Sequence, residues 1–254
     1  LDVDKRDNFW LYSKHVVFLK EIIKEYPNLL KNYNKRSLYY GAVYPDIFYI
    51  RLLKTRPNFS LYLHENKDIF KIGKELYNNS SNISERSFSI GFLSHFFLDK
   101  RIHGYLEKIG FIDGPEHLSL EFYLDMFLDK KTKVSVSKNP TKLLKKTFKF
   151  YFNKKNYFFI PNILIKRLFL FVCNYIIKET IDIKYKKIKK GNFLKNNFLK
   201  TSYYFAFNSY GYSVSKLFNP DFNFLERHLP FLLEEYNLAK KDFIDFLNTG
   251  DFYG

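Results

Sequence analysis

Apolar residues recur at three- and four-residue spacing through six stretches of this chain, and strict alternation is nearly absent. Residues three and four apart share one face of an α-helix, whereas a strand buries every second residue, so this periodicity leaves room for little besides helices packed on helices. The stretches run from Trp10 to Tyr26, Leu61 to Leu76, Ser87 to Ile109, Leu118 to Leu128, Ile163 to Ile177 and Leu229 to Leu247. Breaks are expected at Pro27, at Pro45, from Pro57 to Ser60, from Asn78 to Asn82 and from Gly110 to Pro115. The one alternating segment, Lys133 to Lys138, runs into Asn139 and Pro140 and reads as a loop. The expected fold class is all-α, a multi-helix bundle.

With 254 residues the chain can bury a sizeable core without disulfides. A single cysteine, Cys173, rules out an internal disulfide framework and, set in the apolar run from Leu168 to Ile177, reads as a small buried hydrophobe. No run of eighteen uncharged apolar residues is present. Nor does a secretory signal open the chain as given, so a cytoplasmic location is the expectation. The net charge of +16 is uneven: of 42 Lys and Arg and 26 Asp and Glu, twenty bases and two acids, Glu179 and Asp182, lie between Lys130 and Lys200. Such a segment, interleaved with Phe and Tyr, suits an anionic membrane surface, a phosphate-bearing substrate or nucleic acid, and equally the solvated faces of lysine-rich helices. We expect one all-helical domain over 1–254, with 1–129 as a metal-ligand core and 130–254 as a basic helical extension packed on it; the segment from Asp129 to Pro140 is the internal boundary.

Histidine placement carries the chemistry. Five of six histidines, His15, His64, His95, His103 and His117, lie in the first half. His95, Asp99 and His103 stand at i, i+4 and i+8, on one face of a helix whose other positions include Phe92, Phe96, Phe97, Leu98 and Ile102. Polar groups set among apolar neighbours need a charge partner, and a metal ion supplies one. Eight residues rise roughly 12 Å, too far for both histidines to share an ion comfortably. Asp99, between them, has two oxygens and could bridge two ions about 3.5 to 4 Å apart, so the ladder points to more than one metal.

A second element follows Asp113, Gly114 and Pro115, with His117 and Glu121 at i and i+4 and Asp125 a turn further on. Asp125 is a candidate for orienting a ligand imidazole by accepting its other N–H, or else a plain solvent-facing acid. Asp46 follows Pro45 and can point into a site from a fixed turn. A lone His-x-x-x-carboxylate pair is more often a surface ion pair than a ligand pair. Two in succession, one extended by a third group, favour metal. His228, between Arg227 and Pro230 and far from the rest, reads as a surface or packing residue.

Taken in order, His15, the Gly41-x-x-x-Pro45-Asp46 turn, His64, the ladder His95, Asp99 and His103, and the pair His117 and Glu121 resemble the zinc-dependent phospholipase C family, whose fold is shared with zinc-dependent single-strand nucleases. The resemblance covers roughly residues 10 to 130. It implies an all-helical enzyme holding two, at most three, zinc ions in a cleft between helices. On that pattern His64, His95, Asp99 and Asp46 form one zinc set and His103, His117 and Glu121 a second, with His15, the bridging aspartate and the N-terminal amine as the third; Asp46 is the implied general base. Two features depart from the secreted members: they place a tryptophan at the mature N-terminus, where Leu1 stands here with Trp10 internal, and they separate the residues matching Asp99 and His103 by more than four positions.

The function expected is hydrolysis of a phosphate ester, with a phospholipid or related ester as substrate and an anionic membrane surface as a partner. A single-strand nuclease on the same fold is the nearest alternative, since lysines and aromatics also suit single strands. A protein that binds metal or membrane without turnover belongs to a third class, against which stands the completeness of the ligand set including Asp46. Oligomeric state is left open, no heptad seam being evident.

Overall fold

The computed structural model describes residues 13–48, 59–111, 117, 120, 121, 124, 127, 128, 141–148 and 222–249. Across them the chain is all-α with no strand. The helices are α1 (Ser13–Glu25), α2 (Lys35–Val43), α3 (Phe59–Glu65), α4 (Ile69–Asn78), α5 (Ile83–Lys108), α6 (Thr141–Thr147) and α7 (Phe222–Asn248), with a 3₁₀ turn over Pro45–Phe48. Residues 117, 120, 121, 124, 127 and 128 are also helical. None of the described helices is long and apolar enough to cross a membrane. The readings at Lys133 to Lys138, Ile163 to Ile177, Cys173 and the boundary from Asp129 to Pro140 lie outside the described residues, as do all but 141–148 of the basic segment.

Helix α5 is the axis of the molecule. Asn82 caps it, its side chain accepting the Glu85 N–H at 3.0 Å, while Glu85 returns to the Ser81 N–H at 2.8 Å. Gly110 ends it with φ at +84°, a left-handed conformation that lets the Phe111 N–H reach back to the Leu106 carbonyl at 2.8 Å. Between these ends every residue from Ser87 to Phe96 is buried, because α5 is covered on several sides and not on one. Its serines are reconciled with burial by bonding to their own helix: Ser89 to the Glu85 carbonyl at 3.0 Å and Ser94 to the Gly91 carbonyl at 2.7 Å. Ser87 also accepts the Asn34 N–H at 2.7 Å, and the buried ionisable side chains that α5 turns toward other elements are His95 and Asp99.

Two apolar clusters meet on α5. One joins Phe18 and Ile22 of α1, Leu38 of α2, Leu93 and Ile102 of α5, and Leu232 and Phe243 of α7. The other joins Tyr40 and Tyr44, Leu63, Leu76, Phe88, Phe92, and Leu143 with Leu144 of α6. Ion pairs secure the rim: Lys240 bridges to Glu21 and Glu25 of α1 at 3.0 and 3.2 Å, and Arg101 to Asp242 at 2.7 Å.

Helices α2 and α5 approach each other closely enough for their backbones to touch. A Cβ on Gly41 would stand 2.1 Å from the Phe88 carbonyl oxygen, and one on Gly91 only 1.9 Å from that of Leu38. Glycine at both positions is what lets the two backbones touch. Helix α5 starts earlier than its apolar spacing suggests, and one expectation needs correction. The single helix expected from Leu61 to Leu76 is two, because the Asn66 side chain accepts the Asp68 N–H at 2.9 Å and turns the chain between α3 and α4. Helix α2 was not legible as periodicity, although Asn34 caps it by accepting the Ser37 N–H at 3.0 Å.

Candidate metal centre

The close α2–α5 contact sets the geometry of His95. Its Nδ1 lies 2.8 Å from the Ala42 carbonyl oxygen near the end of α2. A carbonyl only accepts, so Nδ1 carries the proton and Nε2 is left with a lone pair aimed away from α2. His117 repeats the arrangement, its Nδ1 2.9 Å from the carbonyl of Phe111, which lies just past the Gly110 turn. Two buried imidazoles thus present bare Nε2 atoms, each fixed by a backbone acceptor behind it, the state in which histidine binds metal.

Around His95 the ligating atoms converge. Asp99, one turn on, puts Oδ2 2.9 Å from His95 Nε2 and 3.2 Å from His64 Nε2. Asp46, on the 3₁₀ turn, puts Oδ1 3.3 Å from His64 Nε2 and 3.5 Å from His95 Nε2. The two imidazole nitrogens are themselves 3.1 Å apart. One ligand atom from each of Asp46, His64, His95 and Asp99 lies within 4.8 Å of all the others. The second oxygens of both carboxylates face His15: Asp46 Oδ2 at 3.6 Å and Asp99 Oδ1 at 3.4 Å from its Nε2. The His15 ring stacks on that of His95 with centroids 4.0 Å apart.

A second set stands beside the first. His103 Nε2 lies 2.8 Å and His117 Nε2 3.8 Å from Glu121 Oε1, and these three residues also bring one ligand atom each within 4.8 Å of one another. His103 therefore turns to Glu121, while the second oxygen of Asp99 turns to His15. Asp125 lies outside the described residues, and the acceptor found behind His117 is a backbone carbonyl. His228, away from both sets, bonds through Nδ1 to the Tyr105 hydroxyl at 2.7 Å, a packing role.

The electrostatics fit a bound cation. Burial would raise the pKa of Asp99, yet the surrounding imidazoles of His95, His15 and His103 and a hydrogen bond to His64 hold it well below the usual carboxylate range. Asp46 is lowered in the same way, the pull of His95, His64 and His15 outweighing burial. Glu121 lies well below its ordinary value because Lys14, His103 and His117 more than offset burial. His15 is the exception. Burial, with His95 beside it, keeps its ring neutral, and neither nitrogen has a hydrogen-bond partner among the described residues. A buried, unbonded imidazole between two carboxylates is costly unless a cation takes its lone pair. Clustered nitrogen and carboxylate donors, with no thiolate, are a borderline-hard set suited to zinc.

Sequence reasoning missed three members of this assembly. The Ala42 and Phe111 carbonyls are backbone groups and leave no trace in residue type. Lys14, 2% exposed with its Nζ 3.7 Å from Glu121 Oε1, was passed over because an isolated lysine beside a histidine has no motif.

A family model described as zinc dependent phospholipase C matches residues 14–160, more than half of the chain and every residue of both donor sets. Among curated proteins and solved structures no match was found.

Proposed function

Because the chain belongs to the zinc-dependent phospholipase C family, we propose that it is a zinc-dependent hydrolase of phosphate esters that cleaves phosphodiesters of the phospholipid type. The observation that carries this reading is the convergence of Asp46, His64, His95 and Asp99 on one point, with His103, His117 and Glu121 as a neighbouring set. Zinc bound there supplies positive charge for the phosphoryl oxygens and acidifies nearby water.

The chain's own residues have distinct tasks in this scheme. His64, His95 and Asp99 hold one ion with Asp46, and His103, His117 and Glu121 hold another. His15, with the outer oxygens of Asp46 and Asp99, offers a place for a third. The carbonyls of Ala42 and Phe111 fix the tautomers of His95 and His117. Asp46 is the general base: Pro45 opens its turn, and the histidines around it keep it ionised and ready to accept a proton from the attacking water. That water adds to phosphorus as the bond to the alcohol leaving group breaks, and the proton held by Asp46 is available to return to the leaving oxygen. Phe96, buried with its ring edge-on to those of His64 and His95, limits access of bulk water to the site.

The test is elemental analysis of protein purified without chelator, paired with hydrolysis of a chromogenic phosphodiester and of phospholipid vesicles. Two or three zinc ions per chain and turnover that a chelator abolishes are expected. Metal without turnover on any ester would leave a binding protein, and cleavage of single-stranded nucleic acid in place of phospholipid would move the reading to the nuclease branch. No bound metal would sink it.

A further inference from the structure

The two donor sets differ in charge as well as membership. Asp46 and Asp99 give the first set two carboxylates, and both pair with histidines. The second set has a single carboxylate, Glu121, whose Oε1 already faces a lysine ammonium: Lys14 Nζ at 3.7 Å, on a side chain 3% exposed. A dication entering the first set meets two negative charges. One entering the second meets a carboxylate whose charge Lys14 cancels, and it must also approach a buried ammonium that cannot swing into water. The second set is also the more open, its His103 side chain 33% exposed against 0% for His95.

We propose that Lys14 makes the His103, His117 and Glu121 set the weaker zinc site, so that zinc loads in two separated steps and a partly loaded form is populated when zinc is limiting. This inference rests on the zinc reading above and adds an order of filling to it. A unit charge a few ångströms from a divalent ion changes affinity by roughly tenfold or more even when well screened. Removing the ammonium while keeping its bulk leaves Glu121 as a buried carboxylate with His103 and His117 facing it and no lysine, so the ion gains more from binding it and that step strengthens further.

The experiment is calorimetric titration of zinc sulfate into the chelator-stripped full chain. The wild type should show a tight step followed by one ion bound at least about tenfold more weakly. Glu121→Gln should abolish the weak step and keep the tight one. Lys14→Met should tighten the weak step by roughly tenfold or more, whereas Lys14→Arg, which keeps the charge, should leave the gap in place. Circular dichroism and melting in chelator establish that each variant is folded; should Lys14→Met not fold, the wild-type and Glu121→Gln titrations decide alone. A single uniform step in the wild type, loss of the tight step in Glu121→Gln, or an unchanged weak step in folded Lys14→Met would each overturn the proposal. Absence of any zinc binding would fell the zinc reading beneath it as well, a result distinct from the other three.

Discussion

Substituting Gly91 by alanine asks whether the α2–α5 contact creates the site. The added Cβ would lie 1.9 Å from the Leu38 carbonyl oxygen and 2.9 Å from the Ala42 nitrogen, where ordinary contact begins at 3.4 Å. Both neighbours are backbone, so no rotamer change relieves the clash and the helices must part by more than an ångström. Such overpacking costs ~1–3 kcal/mol. The separation also stretches the 2.8 Å bond from His95 Nδ1 to the Ala42 carbonyl past its useful range. An unsatisfied buried group adds ~1–3 kcal/mol, for ~2–6 kcal/mol in all. Freed of its backbone acceptor, the imidazole loses its orientation, and zinc affinity should fall about 10–100-fold. Gly104→Ala is the control: on the same helix, its Cβ meets nothing within 4 Å. It should stabilise α5 by ~0.5–1 kcal/mol. Urea unfolding in chelator, followed by circular dichroism, measures both, and zinc titration measures the site. If Gly91→Ala unfolds within about 0.5 kcal/mol of wild type, or binds zinc as tightly, the glycine contact does not hold the site together.

Asp46→Asn should lower hydrolysis by at least about 10²-fold while most of the metal stays bound by His64, His95 and Asp99, checked by turnover and elemental analysis on one preparation; surviving activity would unseat Asp46 as the base. In the metal-free protein, hydrogen bonds to Asp46 and Asp99 outweigh burial and push His64 up to about 10. A folded pKa above the unfolded value near 6.5 gives stability that is fully present below pH ~6.5 and lost as pH rises through 10. Melting in chelator should therefore weaken between pH 7 and 10, and zinc-loaded protein should resist this decline; identical profiles would show that the ion does not replace the His64 proton. Phe243, wholly buried against Phe18 and Phe97, should cost ~3–5 kcal/mol as alanine. Arg101→Ala, removing a half-exposed ion pair to Asp242, should cost under about 1 kcal/mol, and unfolding midpoints order the two.

Helical periodicity is a local record, and it exposed what local geometry decides. The one-turn spacing of His95 and Asp99 and of His117 and Glu121 placed each pair on a face, and the structure has His95 Nε2 2.9 Å from Asp99 Oδ2. The same spacing misread Leu61 to Leu76, since a side chain of Asn66 bonding to the backbone two residues on outweighs an unbroken apolar pattern. It was silent on α2, a nine-residue helix whose buried positions include Ser37, Tyr40 and Gly41 and so carry little amphipathic signal.

What the sequence by itself determined is the class of fold and the inventory of candidate donors, the first from spacing within helices and the second from residue type, spacing and the family pattern. The family pattern also implied how these donors group, and the contacts that bring each group together were made in three dimensions. His64 meets His95 across 31 positions, and Lys14 meets Glu121 from far earlier in the chain. The orientation of His95 depends on a carbonyl 53 positions away, brought within 2.8 Å by two glycines that let α2 rest on α5. Contacts of that kind are made by packed backbones, and the order of residues along one helix does not encode which oxygen of a distant turn will face it.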